Sequence, residues 1–279
     1  MFKISIAGFS FHGMIAAATM DIFHYLEACR YRYQLNSADI WNGLLGKDVE
    51  RQLDPEHLRK VKDALDERGL VLANFHADGC HIWEDDPAVR ERHHKLALRF
   101  LDAAEFLGAR TMRIDSGGRA QQWTSEQFDE IAKRYREYAK RAADKGYRVG
   151  PETHWGAELV PDNMVKLAKA VDHPGYGVLL HLGHHELATA DEGDRKLAPY
   201  TCHTHVDANT TRTRLEPAIK ILMDAGYSGY LGVEHHSAKN ELYEVAAQIA
   251  EVQRTLARMR AAQPAGSPRN PLLAPGIEK

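Results

Sequence analysis

Four residues of metal-ligand type close four apolar runs in the second half of the chain: Glu152, His181, His205 and Glu234. They sit in V-G-P-E-T-H (149–154), V-L-L-H-L-G-H-H (178–185), C-H-T-H-V-D (202–207) and L-G-V-E-H-H (231–236), and helix-patterned sequence follows each run. Residues at the C-terminal ends of successive parallel strands converge on one mouth of a β/α barrel. Two carboxylates and two imidazoles form an N/O donor set suited to Mn²⁺, Zn²⁺, Co²⁺ or Fe²⁺. With both histidines neutral, the two negative charges balance a divalent ion. For any single histidine, an ordinary hydrogen-bonded place in the core or on the surface is the better account. Four candidates at four successive strand ends reverse that preference.

The elements that must position them alternate, strand then helix, about eight times. Strands are expected at 2–8, 38–41, 70–76, 110–115, 147–152, 177–182, 200–206 and 229–234. Amphipathic helices are expected between them. The run 54–70 has Asp54 as N-cap, Pro55 in the first turn and Gly69 as its stop. The runs 85–108 and 124–147 repeat the design, and 161–171 and 215–227 are shorter copies. Helices of this length between strands imply parallel pairing with right-handed crossovers. A closed (β/α)8 TIM barrel fits the strand count better than an open doubly wound sheet, and no G-x-G-x-x-G follows the first strand. The sixth connection, 186–199, holds a poor helix at best. Residues 1–261 form the barrel domain; residues 262–279 carry four prolines and are expected to be a flexible tail.

Alternate residues of a strand face opposite ways. Glu152 therefore shares a face with Gly150, Glu234 with Gly232 and His236, and His205 with His203 and Asp207. Glycines behind the two acids leave room inside the barrel, whereas an outward carboxylate would meet the apolar side of the helices.

Composition closes off other classes. The 279 residues carry a net charge of −3 and no lysine-rich block, so there is no footprint for nucleic acid. No stretch is apolar enough to span a membrane. Three scattered cysteines, Cys29, Cys80 and Cys202, argue for free thiols in a reducing compartment, and the cytoplasm is the expected location.

From residue 2 to about 260 the chain resembles the xylose isomerase-like TIM barrels, which include sugar isomerases and epimerases, inosose dehydratases and apurinic endonucleases. The likeness is sharper from Arg110 onward. The family's ligands are Glu, Asp, His and Glu on strands five to eight, matching Glu152, His181, His205 and Glu234. The departure is His181, where the family has aspartate followed three residues later by histidine; here the pair is His181 and His184. Loss of one negative charge disfavours hard Mg²⁺ and favours Mn²⁺, with Zn²⁺, Co²⁺ and Fe²⁺ also compatible; His184 stays open as the alternative ligand. The resemblance further implies substrate contacts from Glu158, six residues after Glu152, from Arg212 and from His184. Glu158 and Arg212 have a competing reading as solvated loop residues.

The first half supplies the rest of the mouth. His12 follows strand one, Asp39 and Trp41 end strand two, His76 and Asp78 end strand three, and Arg113 and Asp115 end strand four. The segment 76–83 suggests a lid in which Trp83 offers an apolar face to a sugar ring. The segment 113–119, with two arginines and a glycine turn, could hold a phosphate.

The expected activity is metal-dependent proton abstraction next to a carbonyl of a sugar or keto sugar. Glu152 and Glu234 would remove the proton from one face and return it to the other (epimerisation) or to the neighbouring carbon (isomerisation), with His154 as a third candidate base. The alternative is a lyase on the same scaffold, a dehydratase or a deglycosidase eliminating from a 3-keto-glycoside. A further alternative is a non-catalytic sugar-binding subunit, which the departure at His181 suits. The expected partners are a small carbohydrate and copies of the chain itself, a second subunit type being possible. A repair nuclease would need a basic groove that the net charge opposes.

Overall fold

The computed structural model describes residues 2–262; beyond Ala262, the tail expected at 262–279 lies outside the described residues. Eight strands form: β1 Lys3–Ile6, β2 Ser37–Trp41, β3 Val71–His76, β4 Thr111–Arg113, β5 Arg148–Gly150, β6 Val178–His181, β7 Thr201–Val206 and β8 Tyr230–Val233. All eight expected strands are present, several of them shorter than the apolar runs that announced them. The pairing is parallel throughout, in two arcs of order β1-β8-β7-β6 and β2-β3-β4-β5.

Two seams close the arcs into a barrel. Between β1 and β2 the closure is light: Ala7 bridges Asp39, and the Ser37 hydroxyl donates to the Ile4 carbonyl at 2.8 Å. Between β5 and β6 backbone hydrogen bonds run across the seam. Gly177 N donates to Val149 O at 3.2 Å, Leu179 N to Pro151 O at 2.9 Å, and Thr153 N to Leu179 O at 3.1 Å. That seam depends on glycine, because a Cβ on Gly150 would stand 1.9 Å from the Gly177 carbonyl oxygen.

Strand parity divides the interior into two regions. Ser5, Asp39, Asn74, His76, Thr111, Arg113, His203 and His205 are buried polar residues of the strands, and they face each other inside the barrel. Their neighbours face out to the helices and make the apolar core. Phe75, between Asn74 and His76, lies 6.1 Å from Phe100 of the helix Pro87–Leu107. Burying a side chain of that size is worth roughly 1.5–3 kcal/mol. The structure is therefore held by a ring of apolar contacts outside the sheet, leaving the inside free for polar chemistry.

The helices start where the sequence predicts. The Asp54 carboxylate accepts from His57 N and Pro55 opens the helix Pro55–Glu67. Asp86 caps Pro87–Leu107, which ends at Gly108 with φ 78°. Thr124 and Gln127 form a capping box on Ser125–Asp144. The sixth connection is a correction: it contains a capped helix, Ala190–Leu197, with Thr189 and Glu192 as capping box. Its apolar stripe is too short to see, since polar contacts fix it. The buried Asp194 carboxylate accepts from Gly183 N at 2.8 Å, bonds His185 Nε2 at 2.8 Å and pairs with Arg214 at 2.7 Å. These bonds also tie down the loop that follows His181.

Candidate metal centre

The register of the two arcs sets the level of the site. His181, His205, Gly232 and Ser5 are neighbours across one arc, and Trp41, His76, Arg113 and Gly150 across the other. Glu152 and Glu234 stand just past their strands. Glu152 is held by a bridge to Leu179, and Glu234 N donates to Val206 O at 2.9 Å. His181 N donates to the Thr153 hydroxyl at 2.9 Å, which fixes the ends of β5 and β6 to each other.

These constraints bring the four side chains together. One ligand atom each from Glu152, His181, His205 and Glu234 lies within 4.8 Å of all the others, and all four residues are buried. His205 Nδ1 is 2.9 Å from Glu152 Oε1 and 3.5 Å from Glu234 Oε2; His181 Nδ1 is 3.3 Å and 3.5 Å from the same two atoms. Donors about 2.1 Å from a common ion stand about 3.0 Å apart at a right angle and about 3.4 Å apart at the tetrahedral angle. The observed spacings match the edges of such a polyhedron, so the residues fit a divalent cation. Of the two histidines left open by the sequence, His181 faces both carboxylates. The His184 ring stands beyond it, edge-on at 5.1 Å.

Without a cation the cluster supplies its own positive charge. Burial works against charging His205, but Glu234, Glu152 and a hydrogen bond to Asp39 push its pKa well above the usual imidazole range. Burial likewise opposes ionisation of the two acids. The His205 charge, with bonds from His181 and His205 itself, holds Glu152 well below the carboxylate range. The His205 charge, with the bond to His236, brings Glu234 down to about 2. The carboxylates placed to hold a metal ion thus favour the charged form of His205 in its place.

Around this cluster the barrel supplies further groups. Arg113 is buried between carboxylates: Nη1 meets Asp115 at 2.6 Å and Asp78 at 2.8 Å, and Nε meets Glu152 Oε2 at 3.4 Å. It is committed to these acids rather than presented to a phosphate, which corrects that use of segment 113–119. His154 Nδ1 bonds Asp115 at 3.0 Å, and its ring stacks on Trp155 at 4.8 Å. Burial disfavours its protonation, but the bond and charge of Asp115 prevail and raise its pKa to about 9. His236 Nε2 lies 3.1 Å from Glu234 Oε2. Phe9 adds an aromatic wall, stacked on His12 at 4.5 Å and edge-on to Trp41 at 5.3 Å.

Not every expected contact residue reaches the mouth. His12 does lie beside that aromatic wall, half-buried. Glu158 is fully buried, accepting from Ser116 N at 2.5 Å; burial and the neighbouring Asp115 raise its pKa well above the carboxylate range. It is a buried acid packed against Ser116, not a solvated loop residue. His76 is 1% exposed and bonded to Asp39 at 2.5 Å, beneath the site rather than on it. Trp83 is buried under Arg90, whose guanidinium lies 4.1 Å from the indole ring. Arg212 is exposed on the helix Ala208–Thr213. The role of Asp39 was missed; parity of His203 and His205 on one strand was the signal that a buried acid must answer them.

The description "xylose isomerase-like TIM barrel" matches residues 38–261, and the chain belongs to that family. No curated protein sequence matches it. Among solved structures it is similar to a 3-keto-D-glucoside 4-epimerase from E. coli, with 16% identity, TM-score 0.71, and coverage of 91% of this chain and 100% of the other. A D-tagatose 3-epimerase-like protein is 14% identical with TM-score 0.71, covering 92% and 100%. A probable 3-DHS dehydratase from Bacillus anthracis is 14% identical with TM-score 0.66, covering 90% and 99%. At these identities the likeness is one of fold. Among the described residues no helix is long and apolar enough to cross a membrane.

Proposed function

We propose that this chain is a divalent-metal-dependent isomerase or epimerase acting on a sugar or keto sugar. One observation carries the reading: two buried carboxylates each stand within 3.5 Å of the same two imidazole nitrogens. Glu152, His181, His205 and Glu234 would hold the ion, Mn²⁺ being the best match to this donor set and Zn²⁺, Co²⁺, Fe²⁺ and Mg²⁺ the alternatives. A divalent ion bound there would acidify the C–H next to a substrate carbonyl.

The chain's own residues supply the proton transfer. Glu152 and Glu234 come from strand ends three apart around the barrel, so a carbon between them has a carboxylate on either side. One removes the proton; the other delivers one to the opposite face, which inverts that carbon. Arg113 and His236 hold the two carboxylates at fixed positions. Phe9, His12 and Trp41 would cover one flank of the substrate, and His184, whose ring stands 5.1 Å from that of His181, would bond its hydroxyls.

The His154–Asp115 pair favours a second reading, a lyase. An imidazole anchored by a buried acid can pass a proton to a leaving group, as elimination from a 3-keto-glycoside requires. Metal analysis of the purified protein, followed by product analysis on a panel of ketoses and keto-glycosides with and without chelator, tests both. Chelator-sensitive inversion supports the epimerase, and release of an aglycone or water supports the lyase. Tight metal and sugar binding without turnover would instead indicate a binding subunit. Absence of any bound divalent metal would remove the proposal.

A further inference from the structure

Behind His205 lies a second cluster that the proton transfer does not use. The Asp39 carboxylate is completely buried and receives five side-chain groups. Its Oδ1 meets His76 Nε2 at 2.5 Å and Asn74 Nδ2 at 3.1 Å. Its Oδ2 meets His203 Nε2 at 2.7 Å, His205 Nε2 at 3.3 Å and the Ser5 hydroxyl at 3.5 Å. Residues of four strands converge here, because Asp39 on β2 meets Ser5 on β1 and Asn74 and His76 on β3 and reaches across the barrel to His203 and His205 on β7. Gly232 on β8 makes the reach possible. A Cβ there would stand 2.6 Å from the Thr204 carbonyl oxygen, 2.9 Å from the His205 ring and 3.2 Å from Asp39 Oδ2.

We infer that Asp39 is the positioning residue of the metal centre: it takes the Nε2–H of His205 and so presents the Nδ1 lone pair to the ion. A histidine that ligates through one nitrogen is oriented by whatever its other N–H bonds, and a carboxylate there also raises its basicity. His205 is held on its faces as well. Its ring stacks on His76 at 4.8 Å and stands perpendicular to His203 at 5.5 Å. Asn74 is aimed in turn, since its Oδ1 accepts from the Thr111 hydroxyl at 2.8 Å, leaving its amide N–H for Asp39. A carboxylate met by this many donors is an anion by design of its surroundings. The cluster thereby places a fixed negative charge behind the ligand; Asp39, His203 and His205 also lie close enough together to share an ion, an outcome the titration below distinguishes. His76, the closest of its partners, stands outside the group of atoms that could share an ion with Asp39, His203 and His205.

This inference rests on the metal reading above, and the test separates the two. Co²⁺ is titrated into the unaltered chain and into Asp39→Asn and Gly232→Ala, with the visible absorption bands of the bound ion recorded alongside the melting temperature of each metal-free protein. The unaltered chain is expected to bind one Co²⁺. Both variants should lose roughly 10–100-fold in affinity, with altered band positions, by an amount unrelated to their loss of melting temperature. Unchanged affinity and bands in a folded Asp39→Asn, or in a folded Gly232→Ala should the first fail to fold, would overturn the positioning role alone. Two Co²⁺ per unaltered chain, falling to one in Asp39→Asn, would make Asp39 a ligand and overturn it as well. No Co²⁺ bound by the unaltered chain would remove the metal reading and the inference with it.

Discussion

Replacing Gly150 by alanine tests whether the glycine seam between β5 and β6 is what places Glu152. The new Cβ would stand 1.9 Å from the Gly177 carbonyl oxygen and 2.9 Å from its carbon, both backbone atoms that cannot rotate away. A carbon–oxygen contact relaxes only beyond about 3.3 Å, so the strands must part by about 1.4 Å. The flanking bonds Gly177 N to Val149 O at 3.2 Å and Leu179 N to Pro151 O at 2.9 Å would then exceed hydrogen-bonding length. Losing two such bonds in a buried seam costs about 2–5 kcal/mol, the upper end applying if the freed groups find no water. At about 2–4 °C per kcal/mol for a chain of this size, the melting temperature should fall by about 4–20 °C. The control is Gly146→Ala, at φ 80° with nothing within 4 Å of the added carbon, where only backbone strain of about 1–2 kcal/mol applies. Calorimetry on both variants, with Mn²⁺ titration of each, makes the comparison. Gly150→Ala should also weaken Mn²⁺, because Glu152 follows two residues later; Gly146→Ala should not. A Gly150→Ala protein that melts no lower than the control would refute the reasoning.

Other outcomes follow from the same geometry. Glu234→Gln should lower Mn²⁺ affinity by more than the roughly 10–100-fold that loss of an outer partner costs, measured by titration; affinity equal to the unaltered chain's would remove Glu234 as a ligand. Because Glu234 and Glu152 raise the His205 pKa well above the imidazole range, cation binding is expected to displace a proton. Calorimetric titration in buffers of different ionisation enthalpy should show about one proton released per ion, with affinity rising as pH rises. The same group makes the metal-free chain less stable as pH climbs. A raised folded pKa gives stability that is complete below the ordinary 6.5 and is lost on passing the folded value, so added Mn²⁺ should protect most at alkaline pH. His57 acts in the opposite sense. It is buried, its ring has at most a weak contact with the Leu45 backbone among the described residues, and burial followed by Arg51 lowers its pKa. His57→Leu should be more stable by about 1 kcal/mol at neutral pH. Its advantage should widen as pH falls below 6.5, where the unfolded chain takes up the proton first; equal melting curves at pH 5 would count against this account.

The strand count, the helix starts and the convergence of four side chains were legible because each is written in local pattern. Asp54-Pro55 and Thr124–Gln127 cap helices whatever the remainder of the chain does. The apolar runs ending in Glu152, His181, His205 and Glu234 need only parallel strands for their ends to meet. The helix Ala190–Leu197 was not legible, since its anchor is Asp194 bonded to Gly183, His185 and Arg214, and polar burial leaves no stripe. Glu158 went astray for a related reason. Spacing from Glu152 places it on the right loop, but the direction of the turn, which aims it at Ser116 N, is set by tertiary packing.

Asp39 shows where local reading stops. Its bond to His205 joins residues 166 positions apart and depends on which strands lie opposite across a closed barrel, a relation that no periodicity encodes. The nearest clue was negative: His203 and His205 share a face, and two imidazoles turned inward cannot be left with unanswered N–H groups. A closed barrel of eight strands offers few inward positions at that level, and among them only Asp39 on β2 is an acid not already engaged with Arg113 or the ligand cluster. Parity, closure and the need to satisfy buried donors would together have selected it. The reasoning applies to inward histidines on barrel strands generally: the partner to look for lies across the barrel, and a glycine on an intervening strand marks the path.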